Sequence, residues 1–152
     1  MRPLHKTRDY QPGDFESLVA LRARFFKDDL MYLGRWSDEW NREHLKGMLR
    51  RCRHWSIVAK RELIGFVQWS EYSDQLHIQY LALSPEHQRL GIGSQVLRKL
   101  QNKARQKTVP VTLSLFLSHP EAVAFYQSAG FGVDDTTERF VRMRWTATMK
   151  AS

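Results

Sequence analysis

The residues of this chain best suited to chemistry run from Leu81 to Ser94: Leu81-Ala82-Leu83-Ser84-Pro85-Glu86-His87-Gln88-Arg89-Leu90-Gly91-Ile92-Gly93-Ser94. An apolar strand passes through a glycine-containing loop into a basic helix. Successive backbone N–H groups at a helix N-terminus bind anions, and glycine lets the main chain approach a pyrophosphate without a Cβ in the way. The context suits a diphosphate cradle, while a helix cap following a strand is the plainer reading of the same Gly-x-Gly. A dinucleotide fingerprint would need a third glycine where Val96 stands, and a Walker A loop would need Gly-Lys-Ser/Thr, which the chain lacks. Acyl-CoA is the phosphate ligand that remains.

Such a ligand fits the charge. The 152 residues carry 24 Lys and Arg against 16 Asp and Glu, a formal +8 that favours nucleic acid, an anionic membrane or a phosphate-rich ligand. The basic residues are scattered, with local groups at Arg50-Arg51-Cys52-Arg53 and from Arg98 to Lys107, as on a folded surface. Hydrophobic residues make up 42% of the chain, with only 8 Gly and 5 Pro, which argues against disorder and for one domain spanning residues 1–152. No apolar run nears the roughly 18 residues that cross a bilayer, and Met1 to Phe15 has no signal-like centre, so a cytoplasmic protein without a membrane partner is expected. The single Cys52 admits neither an internal disulfide nor a cysteine-based zinc site, and no metal is expected.

The elements that must position the loop are read from periodicity and turns. Leu4 to Arg8 suits a first strand, and Pro12-Gly13-Asp14 a turn in which Asp14 caps a helix carrying Phe15, Leu18, Val19 and Phe26. Ser37 caps a second helix with Asp38 and Glu39 in its first turn and Leu45, Met48, Leu49 and Cys52 at helical spacing. Ser56–Lys60, Leu63–Trp69 and Leu76–Leu83 form an antiparallel meander, broken at Arg61-Glu62 and Tyr72-Ser73-Asp74. Ile92, Val96, Leu100 and Ala104 share one helix face. Val111, Leu113, Leu115 and Leu117 then alternate as a strand, and Pro120 opens a short helix that Gly130 ends. Phe131–Val133 and Arg139–Trp145 supply two last strands around an Asp134-Asp135-Thr136-Thr137 turn. The whole is α+β: one mixed sheet with helices on both faces.

With these residues in place the chain resembles the GNAT superfamily of acyl-CoA-dependent N-acyltransferases. The family signature Gln/Arg-x-x-Gly-x-Gly/Ala is met by Gln88-Arg89-Leu90-Gly91-Ile92-Gly93. A second signature, a strand followed by Asn, Ala, Tyr and Gly-Phe, is met by Leu113-Ser114-Leu115, His119, Ala122, Tyr126 and Gly130-Phe131, with His119 where Asn is usual. The resemblance covers Trp55 to Trp145. It implies a central, largely antiparallel twisted sheet of about seven strands, splayed between the fourth and fifth.

The resemblance also implies roles. Main-chain N–H groups across Arg89, Leu90, Gly91, Ile92, Gly93 and Ser94 would hold the pyrophosphate of acetyl-CoA, next to Gln88. Leu81, Ala82 and Leu83 would lie along its pantetheine, and His119 would stand at one cofactor contact. Tyr126 occupies the place that protonates the departing thiolate. His77, four residues before Leu81, is the candidate base, with Glu71 second and Gln79 as a residue that orients a water. The acceptor side falls in the first two helices and their loop, where Phe26, Asp29, Tyr32 and Trp36 put aromatics beside carboxylates, a setting for a cationic amine. The expected activity is transfer of an acetyl group directly to a primary amine on a small molecule or peptide. Two other classes compete: a CoA-binding sensor without catalysis, and a basic nucleic-acid-binding domain, which no recognition motif supports. A homodimer is left open.

Overall fold

The computed structural model describes residues 5–147, so the expected strand residue Leu4 lies outside the described residues. In chain order these residues form β1 (Lys6–Arg8), α1 (Phe15–Tyr32), α2 (Asp38–Arg51), β2 (Arg53–Ala59), β3 (Glu62–Glu71), β4 (Leu76–Leu83), α3 (Ile92–Lys107), β5 (Val111–Phe116), α4 (Pro120–Ser128), β6 (Gly132–Thr136) and β7 (Phe140–Trp145). The seven strands make one open sheet in the order β1-β2-β3-β4-β5-β7-β6, largely antiparallel, with β4 and β5 parallel. This is the mixed α/β architecture expected. None of the helices among the described residues is long and apolar enough to cross a membrane. Two compact units divide the chain: one holds the residues up to Trp69 with Tyr80–Gly93, the other Ser70–Gln79 with the residues from Ser94.

In the first unit Leu18 and Leu21 of α1 and Leu45 of α2 pack with Phe66 and Ala82, and Phe26 and Tyr80 close the cluster. Ser37 caps α2 as expected, its Oγ accepting from Trp40 N at 2.9 Å. Asp14 does something other than cap. Its buried carboxylate accepts two bonds from Arg8, at 2.7 and 2.8 Å, one from Gln11 N at 3.0 Å and one from Ser56 Oγ at 2.8 Å. A strand-bound arginine offers a stronger, charge-assisted partner than the helix N–H groups do, so Asp14 fastens β1 to β2. The relay extends inward: Ser56 donates to Asp14 and so accepts from His54 Nε2, while Gln68 donates to His54 Nδ1. This pairing carries the charged Arg53 and the neutral His54 into β2, opposite Trp69 and Gln68, three residues earlier than the apolar pattern begins. The β2–β3 turn sits at Lys60-Arg61, both left-handed, rather than at Arg61-Glu62.

Arg22 is the unusual core residue of this unit. It is fully buried, donates from Nε to Asn41 Oδ1 and meets His44 Nδ1 through Nη2, each at 2.8 Å, and lies over the rings of Phe26 and Tyr80. Nη1 has no partner among the described residues. Burial lowers the pKa of Arg22, with Tyr80 opposing. Burial also pushes His44 down to about 4, helped by Arg22 and Arg51, so that a neutral imidazole faces the guanidinium.

In the second unit the β4–β5 register pairs Leu76 with Val111 and His77 with Thr112, anchored by Leu76 N donating to Pro110 O at 2.9 Å. Strand alternation then sorts β5 and β7: Val111, Leu113, Val141, Met143 and Trp145 are buried, while Ser114, Arg142 and Arg144 stand in solvent. Gln101 of α3 donates to Ala129 O at 3.0 Å, and Arg105 lies over Trp145. Gly130 ends α4 as expected, with φ +96°, and Phe131 N returns to Tyr126 O. The expected turn at Asp134–Thr137 is mostly strand. Asp134 and Asp135 belong to β6 and pair across to Arg144 and Arg142, and these cross-strand charges override the turn preference of aspartate.

Candidate active site

The Gln88–Gly93 loop begins where β4 ends. Gln88 turns back on the strand, donating from Nε2 to Leu83 O at 2.8 Å, and Ser84 Oγ meets His87 Nδ1 at 2.7 Å. The loop's own turn bonds finish with Gln88 N to Pro85 O. Beyond it the backbone alternates in hand: Arg89 has φ +64°, Gly91 φ +82°, and α3 starts at Ile92. Alternation of this kind aims successive N–H groups into one concavity, and the first turn of any helix adds N–H groups without intrahelical acceptors. At Gly91 the Cβ position opens on empty space, so conformation rather than crowding calls for glycine. These features fit a diphosphate.

Upstream on β4, Ala82 is buried in the core and Leu81 and Leu83 flank it. Gly65 of β3 is needed here. A Cβ on it would strike the carbonyl of Ala82 and come within 3.2 Å of Leu83 Cα. The expected acceptor residues have different surroundings. Phe26 packs on Tyr80 with ring centroids 4.9 Å apart, Trp36 stands 6.2 Å from Trp40, and Tyr32 is 88% exposed. Asp29 takes part through its main chain, accepting from Leu33 N.

The second unit contains a cavity of about 420 Å³ lined by Gln75 and His77, by Thr112, Leu113 and Ser114 of β5, and by Asp134, Asp135, Arg142, Met143 and Arg144. His77 is half-buried, and its Nδ1 lies 2.8 Å from Thr112 Oγ1, which in turn donates to Gln75 Oε1. Burial holds the His77 pKa below its usual value, so the ring is neutral at neutral pH. Gln79 donates to Ser70 Oγ at 3.3 Å. Glu71, its side chain 10% exposed, is bridged by Lys107 Nζ at 2.7 Å. A carboxylate so paired is a poorer proton acceptor than an unengaged imidazole nitrogen.

Tyr126 is 5% exposed, its ring edge-on to Phe125 and Phe131 at 5.0 and 5.3 Å. Burial pushes its hydroxyl pKa well above the ordinary tyrosine value, which keeps the phenol a proton donor at any working pH. His119 precedes α4, with Nδ1 3.3 Å from Glu121 and its ring edge-on to Phe116.

A family model described as the acetyltransferase (GNAT) family matches residues 15–131. The chain belongs to the GNAT acetyltransferase family. It is 26% identical over 129 residues to the uncharacterized N-acetyltransferase YafP of Escherichia coli K12, covering 82% of this chain and 79% of that protein. Among solved structures it is similar to the PaiA N-acetyltransferase of Thermoplasma acidophilum in complex with coenzyme A, at TM-score 0.77 and 22% identity over 93% of this chain and 98% of that one. It is also similar to the ribosomal-protein-S18-alanine N-acetyltransferase of Escherichia coli, at TM-score 0.73 and 18% identity over 96% of both chains. Acyl transfer is the chemistry of this GNAT chain.

Sequence reasoning missed most of the cavity wall of this GNAT domain. Thr112 and Ser114 carried a signal, since polar residues alternating with Val111 and Leu113 mark the outward face of a strand. Gln75, Asp134 and Asp135 were hidden among turn-forming residues, and only cross-strand pairing brings them to His77's cavity.

Proposed function

We propose that residues 1–152 form a single acetyltransferase domain that moves an acetyl group from acetyl-CoA directly to a polar primary amine, a small molecule or a peptide. The observation that carries this is the left-handed alternation of Arg89 and Gly91 at the start of α3, in a chain of this family. Gln88 to Ser94 hold the diphosphate, Leu81 to Leu83 lie along the pantetheine, and His119 adds a polar contact. Acetyl-CoA, when bound, supplies an acetyl group activated as a thioester.

An alkylammonium with a pKa of about 10 must lose a proton before it can attack. His77 accepts that proton and Tyr126 donates one to the departing sulfur. Gln75, Thr112 and Ser114 together with the Asp134–Arg144 and Asp135–Arg142 pairs favour a polar acceptor. A cationic acceptor competes with Arg144 and Arg142 for those carboxylates, whereas Phe26, Tyr32 and Trp36 offer it aromatic faces and Asp29 a negative charge. Cytoplasmic residence belongs to the same reading, on the single Cys52.

The test is acetyl-CoA-dependent thiol release screened over amine classes, followed by His77→Gln on the best acceptor. Wild-type kcat/KM rises with pH through the free-enzyme pKa of His77, which lies below that of an exposed histidine because the ring is half-buried. His77→Gln removes this limb. Acetyl-CoA binding without turnover on any amine would make the chain a sensor.

A further inference from the structure

We infer that Gln75 and Thr112 are positioning residues that fix His77 as its Nδ1–H tautomer, leaving the Nε2 lone pair for the acceptor's proton. The inference rests on reading His77 as the base. Its geometry stands apart from that reading.

Thr112 has one hydroxyl proton. Its Oγ1 donates that proton to Gln75 Oε1, so toward His77 the same oxygen can only accept. Nδ1, 2.8 Å away, therefore carries the hydrogen, and a neutral imidazole has no second one for Nε2. The backbone prepares this arrangement. The parallel register sets His77 directly opposite Thr112, and Val111 and Leu113 are buried on either side, which turns the Thr112 hydroxyl away from the core. Gln75 immediately precedes Leu76, whose N–H is fixed to Pro110 O, and this places the Gln75 side chain where its Oε1 accepts from Thr112 Oγ1.

The arrangement serves both states of the ring. Neutral, it presents a lone pair at Nε2. After proton uptake, its second N–H is already bonded to Thr112, so the imidazolium forms without reorganising its neighbours. Without the hydroxyl the ring is free to place its hydrogen on Nε2, where it offers an amine a donor instead of an acceptor. The charged groups on the same cavity are Asp134 and Asp135 of β6 and Arg142 and Arg144 of β7. They oppose one another in two ion pairs, and burial is what lowers the His77 pKa.

Nitrogen-15 spectra of histidine-labelled full-length protein test this without turnover. His77, assigned by the signal that His77→Gln removes, shows a protonated Nδ1 and an unprotonated Nε2 in wild type at pH 8. Thr112→Val, which keeps the β-branched shape, and Gln75→Leu both shift the ring toward Nε2–H, and Thr112→Ser restores Nδ1–H. Turnover follows: Thr112→Val lowers kcat by roughly 10- to 100-fold at unchanged acetyl-CoA affinity, and Thr112→Ser recovers most of it. A wild-type His77 protonated on Nε2, or a tautomer indifferent to Thr112→Val, overturns the inference. If the tautomer follows Thr112 while His77→Gln keeps full turnover, the tautomer control holds and the reading of His77 as base fails.

Discussion

Replacing Asp14 with Asn strikes the relay that joins β1 to β2. The carboxylate is 5% exposed and takes four hydrogen bonds: two from Arg8 and one each from Gln11 N and Ser56. Burial alone would raise its pKa, but Arg8, Gln11 and Ser56 together outweigh burial and hold it at about 2, against an ordinary 3.8. At about 1.4 kcal/mol per tenfold change in proton affinity, that difference corresponds to about 2 kcal/mol of stability for the ionised form. The folded-state value lies below the unfolded one. The contribution is therefore complete above pH 4 and is lost as the pH falls through the folded value. His54 titrates in a higher window, between its ordinary 6.5 and about 4, because burial opposes its charge. The two windows separate. Urea unfolding followed by circular dichroism should find Asp14→Asn about 2 kcal/mol less stable at pH 7, with the gap closing between pH 4 and pH 2. Equal stability at pH 7, or a gap unchanged by acid, would refute the linkage.

Gly91→Glu should abolish stabilisation by acetyl-CoA, which for a ligand specific to the native state is about 2.7 kcal/mol at a hundredfold excess over Kd; a thermal shift retained by the folded variant would sink the diphosphate cradle. Tyr126→Phe keeps the ring and removes the donor, so kcat should fall by roughly 10²- to 10⁴-fold with acetyl-CoA affinity unchanged, and a wild-type kcat would make Tyr126 a packing residue. Gly65→Ala should destabilise by roughly 1–3 kcal/mol in urea, because the methyl meets the carbonyl of Ala82 and the main chain of Leu83 as well as the Leu83 side chain, and only the last can swing aside; unchanged stability would show that β4 yields there.

Local rules carried the sequence reading furthest where they act alone. Ser37, Gly130 and the apolar repeat of Ile92, Val96, Leu100 and Ala104 each mark a helix end or face through its own few neighbours, and each does so in the structure. The reading failed where a partner on another element decides. Asp14 looks like a helix cap until Arg8 and Ser56 are brought to it, and Asp134-Asp135 looks like a turn until β7 supplies Arg144 and Arg142. The candidate site divides in the same way. The Gln88–Gly93 loop is a contiguous motif, and glycine explains the left-handed backbone at Gly91, whereas the same hand at Arg89 has no signal in its residue type. His77 was legible as a residue type at a strand position, but its tautomer depends on Thr112, 35 residues away.

Arg22 gives the first unit a particular way of coming apart. A guanidinium with no carboxylate partner among the described residues is tolerated only while Asn41, His44, Phe26 and Tyr80 surround it together. Loosening α2 alone would take Asn41 from Arg22 Nε and from Val19 O and leave a charge with fewer partners while it is still wedged against aromatic rings and shielded from water. No half-open state is cheap. Openings that expose the amides of α1 around Arg22 and those of α2 around Asn41 are thereby tied into one cooperative event, and neither helix frays inward past this cation by itself.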